Sequence, residues 1–531
     1  MRIIYNANIY TLDPNKPKVT AIAILSEKIA AIGDDQTILA EFPKSIEKFD
    51  AGGRTIIPGL IDAHLHLQQY ALNRTKVDCE TASREECLKR VTERAHHTPT
   101  ASWVIGHGWN QNNWSDGFGS ARELDLISPD QYIYLTAKSL HAAWVNSAAL
   151  RLAGITNDTA DPLGGKIGRD EQGLPNGILF ESAMDLVSNL IHDPDPAQLT
   201  APIQQALTRL AEMGLTGLHD FDRKNCFIAL QHLHKRGELK MRVTKSIPVE
   251  DLPSAVAIGL RTGFGDSMLR IGGVKVFADG ALGPQTAAMI SPYEGDPDNK
   301  GILMLDAEEL VEIGRVAVDN GLSLAVHAIG DRANNQVLNA FSELKTYERA
   351  TQFNDQQVPL RHRIEHLQLI HPQDVGRLAE LGVIASMQPI HATSDMNMAD
   401  KFWGKRSEFA YAWRTQLMQG TILAFGSDAP VESPDPFLGL HAAITRRRAD
   451  GSPGKDGWYS NQRLTPMEAI NAFTTGPAYA CGMENQLGKL SPGYLADLIL
   501  LDIDPFTCEP DALLESRPQA TMVAGEWVFQ N

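Results

Sequence analysis

The sequence predicts an α/β fold class: a (β/α)8 TIM barrel with an inserted subdomain after strand 1 and a small β-sandwich built from both chain ends. Three observations predict it. Short apolar runs alternate with amphipathic helical stretches through the middle of the chain, one long interval breaks that rhythm, and both ends read as strands alone. Strand–helix alternation repeated eight times favours a closed barrel over an open doubly wound sheet.

Residues 1–55 read as short strands, Ile3 to Leu12 and Ala21 to Ile32, the second broken by polar Ser26-Glu27-Lys28 in a hairpin-like arrangement. Candidate barrel strands follow at Ile56 to Leu67, Leu215 to Phe221, Met241 to Ile247, Ile271 to Phe277, Leu322 to His327, Arg361 to Leu367, Val383 to Gln388 and Ile422 to Asp428. Between the first two lies the interval 68–214, rich in Trp, Asn and Gly, far longer than one barrel helix needs. It reads as an insertion over the barrel mouth. The later helices have legible ends: Asp306 as N-cap with Glu309 three residues on and Gly321 as stop, and Thr465-Pro466 with Glu468 at the start of another. Residues 486–531 return to strands, with the run Leu498-Ile499-Leu500-Leu501 and a hairpin around Ala524-Gly525-Glu526. Neither end could build a core alone, and termini often lie close together. The barrel is therefore expected over 56–485, with 1–55 and 486–531 sharing one sandwich.

Composition narrows the function classes. The chain has 531 residues, 43% hydrophobic and 21% charged, with a formal net charge of −17. That balance suits a folded enzyme and disfavours a nucleic-acid or anionic-membrane partner, which would need clustered Lys and Arg. Five cysteines without a CxxC read as reduced thiols, and the start lacks the apolar core of a signal peptide, so a cytoplasmic location is expected. No stretch approaches the ~18 apolar residues of a membrane span. The expected partner is a small-molecule substrate, with a homo-oligomer left open.

The chemistry starts at Pro58-Gly59-Leu60-Ile61-Asp62-Ala63-His64-Leu65-His66. Residues i and i+2 of a strand share a face, so His64 and His66 aim two imidazoles at one point, at the end where barrels place their active sites. His327, His366 and Asp428 close other candidate strands. Each alone could be structural, but convergence of all of them makes a metal site the economical reading. Imidazole and carboxylate without thiolate suit zinc, with manganese, nickel or iron as alternatives. Lys275 sits between apolar neighbours on candidate strand four, where a bare ammonium is costly to bury. Either it pairs with a carboxylate such as Asp279, or its amine carries CO2 as a carbamate bridging two metals about 4 Å apart. Nucleophile elbow, phosphate loop, Gly-x-Gly-x-x-Gly and His-Glu-x-x-His motifs are all absent.

The His-x-His pair with the strand-four Lys, strand-five and strand-six His and strand-eight Asp resembles the amidohydrolase superfamily of metal-dependent hydrolases. Gly-Val-Lys-Val-Phe-Ala-Asp-Gly, His-Ala-Ile-Gly-Asp-Arg-Ala and Arg-Ile-Glu-His-Leu-Gln are similar to the branch containing N-substituted formamide deformylases. The resemblance implies that His64, His66, Lys275 and Asp428 hold one divalent metal, and that Lys275, His327 and His366 hold a second. It implies two Zn2+ per chain, a CO2-derived carbamate on Lys275, and Asp428 as catalytic proton shuttle in hydrolysis of a non-peptide C–N bond of amide or formamide type by metal-activated hydroxide. Two other readings stay open: a mononuclear deaminase of a cyclic amidine, which usually has a Glu where Asp331 stands, and a catalytically silent regulatory protein on the same scaffold. Candidate substrate contacts are Trp109 and His141 in the insertion and Asp279, Gln285 and Arg332 in the rim loops, where specificity usually resides.

Overall fold

The computed structural model describes residues 1–43, 45–74, 76–111, 114–138, 142–191, 194–351 and 359–531. They form two compact units, Met1–Leu67 with Ile203–Asn531, and Gln68–Pro202. Among the described residues, no helix is long and apolar enough to cross a membrane.

The first unit contains eight parallel strands, numbered here β1 (Leu60–Leu65), β2 (Leu215–Asp220), β3 (Arg242–Pro248), β4 (Leu269–Phe277), β5 (Leu324–Ala328), β6 (Arg363–His366), β7 (Ile384–Met387) and β8 (Leu423–Phe425). Each pairs with its sequence neighbours in unbroken order from β1 to β8, the topology of a (β/α)8 barrel. The ring is drawn together beyond β8, where Asp428 N donates to His64 O at 2.7 Å and His66 N to Ala429 O at 2.9 Å. Asp62 adds a side-chain clasp, its two oxygens accepting from Ser427 N at 3.1 Å and Ser427 Oγ at 2.6 Å. Gly426 is required here, since a Cβ at that position would collide with the His64 backbone and the Asp62 carboxylate. The two expected helix starts are both present as reciprocal capping boxes, Asp306 with Glu309 and Thr465 with Glu468, and Gly321 follows the first helix at φ 69°.

The first expected strand is in fact two. Thr55–Pro58 pairs with Asn8–Tyr10 and Leu498–Leu501, while β1 begins only at Leu60. Gly59 is the pivot: it leaves no room for a side chain, because Thr216 fills that space, and Pro58 before it has no N–H to continue a ladder. A second sheet of the chain ends, ordered Lys28–Gly33, Ala21–Leu25, Arg2–Tyr5, Glu47–Asp50, faces the first. Ile4, Ile22, Ile24, Ile56, Leu498, Leu500 and Met522 form one apolar cluster between them, so N- and C-terminal residues bury a core that neither holds alone.

This pairing of ends is anchored to the barrel by an ion pair. Arg242, at the start of β3, makes a bidentate contact with Asp497 at 2.6 and 2.8 Å, both side chains 6% exposed. Asp497 also accepts from Ala524 N at 2.8 Å. Removing one member of a buried pair strands the other charge. Asp497→Ala is therefore expected to cost about 3–5 kcal/mol of stability, read as a lowered urea midpoint with the slope unchanged.

The second unit is a six-stranded mixed sheet ordered Gly165–Arg169, Pro175–Glu181, Ala142–Val145, Tyr132–Ala137, Trp103–Trp109, Val77–Asp78. Its strands alternate: Ile133 and Leu135 enter one apolar cluster with Trp109 and Trp144, while Tyr134 enters another with Ala143 and Leu179. The unit ends at Pro202, short of the Gly214 expected from sequence. Helix Pro196–Glu212 runs directly into β2, and its Ala211 carbonyl accepts from Thr521 Oγ1 at 2.7 Å; its latter part belongs with the barrel.

Candidate metal centre

Because strands β1, β4, β5, β6 and β8 all run the same way, their C-terminal ends deliver side chains to one rim. His64 is the innermost of them, fully buried on β1, and His66 follows one residue beyond the strand. The ring centroids of His64 and His366 are 4.8 Å apart, those of His327 and His366 4.6 Å, and those of His64 and His66 5.7 Å. Asp428 Oδ1 lies 3.5 Å from His64 Nε2 and 3.4 Å from His66 Nε2. His366 and Asp428 both adopt left-handed backbone, φ 73° and 61°, conformations that cost energy for residues with side chains. The surrounding structure holds them at the turn where each strand ends.

His64, His327 and His366 each have one ring nitrogen committed, which sets the state of the other. His64 Nδ1 donates to Glu365 Oε2 at 2.6 Å, so its Nε2 carries a lone pair, and that buried atom has no hydrogen-bond partner. His366 Nδ1 donates to Gln388 Oε1 at 2.9 Å, and His327 Nε2 to the Gly280 carbonyl at 2.9 Å. Burial and the nearby Lys275 charge push His64 down to about 4 and His327 down to about 3; burial and His327 hold His366 well below its ordinary value. All three are neutral at pH 7. For Asp428, burial favours the acid, but hydrogen bonds from His391 and His66 hold it well below the usual carboxylate range. At His66, burial opposes protonation, yet Asp222 and Asp428 raise it to about 10. Two carboxylates, Asp222 and Asp428, thus stand on that side, and the unpartnered Nε2 of neutral His64 lies 3.5 Å from Asp428. This donor set fits a bound divalent cation.

Lys275 stands on β4 and is 4% exposed. Its Nζ lies 4.8 and 4.9 Å from the ring centroids of Phe221 and Phe277. The sequence left open a salt bridge to Asp279. That carboxylate is instead taken by the N–H groups of Ala288 (2.8 Å), Ile329 (3.0 Å) and Gly330 (2.8 Å). Burial lowers the amine to about 8 against the pull of Glu365 and Asp428.

Among the expected substrate contacts, two need correction. Trp109 is 1% exposed and packs against Trp114 and Phe118 inside the second unit, its indole N–H donated to Leu135 O at 2.8 Å. A large ring with its only donor satisfied serves that unit's own core. Asp279, with three N–H groups on its carboxylate, ties the loops after β4 and β5 together and stands 3.6 Å from His327 Nε2. Gln285 is half-buried in the loop after β4 at φ 57°. Arg332 is exposed and lines a recess of about 590 Å³ with Lys300 and His371, none of them members of the histidine cluster. His141 lies outside the described residues.

Four site residues escape sequence reasoning. Glu365 orients His64, and Arg363 grips Glu365 at 2.5 and 3.0 Å while donating to Ala63 O at 2.7 Å. Asp222 Oδ1 lies 3.6 Å from His66 Nδ1. His391, in the first turn of helix Pro389–Trp403, places Nε2 3.2 Å from Asp428 Oδ2. The signals were there: Arg363 and Glu365 share a strand face at i, i+2, and His391 follows the end of a candidate strand. A further group, Asp220, Asp222 and Cys226, also has ligand spacing. It already holds a cation, since Lys245 Nζ sits 3.0 Å from Asp220 Oδ2 and bonds to the Asp222 carbonyl.

Comparison with known proteins agrees with this geometry. The chain is 31% identical over 548 residues to YtcJ of Bacillus subtilis (strain 168), covering 100% of both chains. It is 27% identical to the N-substituted formamide deformylase of Arthrobacter pascens, over 98% of this chain and 97% of that one. The crystal structure of a metal-dependent hydrolase from Pyrococcus horikoshii OT3 superposes with a TM-score of 0.80 at 27% identity, covering 96% of this chain and 99% of that one. A family model described as the amidohydrolase family matches residues 47–529, and the chain therefore belongs to the amidohydrolase family of metal-dependent hydrolases.

Proposed function

We propose that the protein is a binuclear metal hydrolase that cleaves a non-peptide C–N bond of amide or formamide type. The observation that carries this reading is the buried Lys275 amine, which interacts electrostatically with His64, His327, His366 and Asp428 and has no carboxylate in ion-pair contact among the described residues. An amine lowered to about 8 is partly neutral near pH 7, and only the neutral form can add to CO2. As a carbamate it would be anionic, and together with His64, His66, His327, His366 and Asp428 it would hold divalent metal. The relationship to a formamide deformylase over nearly the whole length supports the bond type.

Divalent metal held there supplies Lewis acidity and brings the pKa of water down to about 7. Asp428 is ionised and within reach of both His64 and His66. It takes the proton of the attacking water as the C–O bond forms, and returns it to the departing amine nitrogen as the C–N bond breaks. Glu365 and Gln388 keep His64 and His366 in the tautomers that present a lone pair inward. A deaminase reading is less favoured: the acid after the strand-five histidine is Asp331, and its carboxylate accepts from Ile290 N at 2.8 Å. The proposal includes zinc as the metal, a small-molecule substrate, a cytoplasmic setting with all five cysteines free, and no nucleic-acid or membrane partner.

The test combines metal analysis with substrate screening. Protein reconstituted with Zn2+ is expected to hold two ions per chain and to release amine from N-formyl or N-acyl compounds. One ion per chain would favour the deaminase reading, and none after reconstitution would end both. Chelation is expected to abolish turnover, with recovery on adding Zn2+ together with bicarbonate.

A further inference from the structure

The two oxygens of Asp428 face different partners. Oδ1 lies with His64 Nε2 and His66 Nε2, at 3.5 and 3.4 Å, whereas Oδ2 lies 3.2 Å from His391 Nε2. At 3.2 Å the pair is within hydrogen-bond reach, and since a carboxylate oxygen accepts, the nitrogen is the donor. We propose that His391 is a positioning residue: its Nε2–H fixes Oδ2 and so leaves Oδ1 alone to meet the metal and take the substrate-side proton. This inference rests on the metal-hydrolase reading above and adds a residue to it.

The fold supplies the rigidity that this role needs. A carboxylate rotates about its terminal torsion with little preference, and Asp428 lies on a turn in left-handed backbone, where nothing in the strand itself selects one rotamer. His391 is buried and rides on the first turn of helix Pro389–Trp403, whose start is marked by Pro389. Its own N–H donates to Gln388 O at 3.1 Å, and Gln388 is also the acceptor of His366 Nδ1–H. One strand-to-helix junction thus orients both a ligand of one metal and the carboxylate of the other. The helix is pinned by Arg448, which donates to the carbonyls of Thr393 (2.8 Å) and Ser394 (3.0 Å). One turn on from His391, Asp395 is held by Tyr411 Oη–H at 2.5 Å.

His391 could instead be a third ligand on that metal, because His366, His391 and Asp428 also have ligand spacing. Substitution with Co2+ separates the two roles without relying on activity, since the visible d–d bands report ligand number and geometry. His391→Gln can still place an amide donor near the Nε2 position; His391→Leu cannot. Wild-type protein is expected to bind two Co2+, and the Leu variant to bind two with altered bands and kcat lowered about 10- to 100-fold at little changed KM. The Gln variant is expected to restore the wild-type bands and most of the turnover. Loss of one Co2+ in the Leu variant would make His391 a ligand and overturn the proposal. Wild-type bands and turnover in the Leu variant would overturn it too, while leaving the hydrolase reading intact. No Co2+ in the wild type would overturn both. Should the Leu variant fail to fold, His391→Asn, whose amide falls short of Oδ2, takes its place against Gln with the same expected contrast.

Discussion

Asp428→Asn is expected to fold normally and lose turnover by about 10²- to 10⁴-fold, the range set by removal of a positioned general acid–base. The substitution keeps the shape that satisfies the β8 turn, where Asp428 N remains bonded to His64 O, so the barrel closure is not disturbed. What it removes is the charge, and with it, among the described residues, the carboxylate that stands beside both His64 and His66. An amide nitrogen turned toward His391 would also repel that donor, so some rotation of the side chain is part of the expected loss. Circular dichroism and thermal unfolding read the fold, and initial rates on the substrate found by screening read the loss. Near-normal turnover would mean that the proton passes elsewhere.

Lys275→Met is expected to have the second large effect: at most one tightly held metal per chain and turnover reduced by several orders of magnitude. Methionine matches the length of the lysine stem and suits the contacts with Phe221 and Phe277, so packing on β4 is retained. It cannot form a carbamate. Removing a buried cation that has no carboxylate in ion-pair contact among the described residues strands no described partner charge, and stability is expected to hold or rise. Metal analysis after reconstitution is the primary reading, because it is independent of which substrate is used. Two metals and wild-type rates in the Met variant would remove the bridging role and leave Lys275 as an electrostatic neighbour.

The site was legible in unequal parts. His64, His66, His327, His366 and Asp428 could be found because each ends a strand of a parallel barrel, a position that periodicity alone can assign. Helix starts at Asp306 and Thr465 were legible for a similar reason: a capping box is a local exchange of hydrogen bonds within four residues. Other features depend on distant partners. The break at Gly59 is set by Thr216 on the next strand, and the end of the insertion by where helix Pro196–Glu212 finds its contacts. Trp109 and Asp279 have side chains fit for ligand contact, and only their surroundings show that Leu135 and the N–H groups of three loop residues have already taken their polar atoms. Glu365 and His391 acquire roles through residues 301 and 37 positions away.

By itself, then, the sequence determined the barrel, the pairing of its two ends and which histidines and aspartate end strands on one rim. These follow from local periodicity, from chain-end strands too short to fold alone, and from the rule that parallel strands end on one rim. The tertiary structure decided which nitrogen of His64, His327 and His366 is committed, which oxygen of Asp428 meets His391, and that Lys275 has no ion-pair partner among the described residues. Those are properties of hydrogen bonds and buried charges made between strands, and their outcome depends on what surrounds each group after the chain has closed.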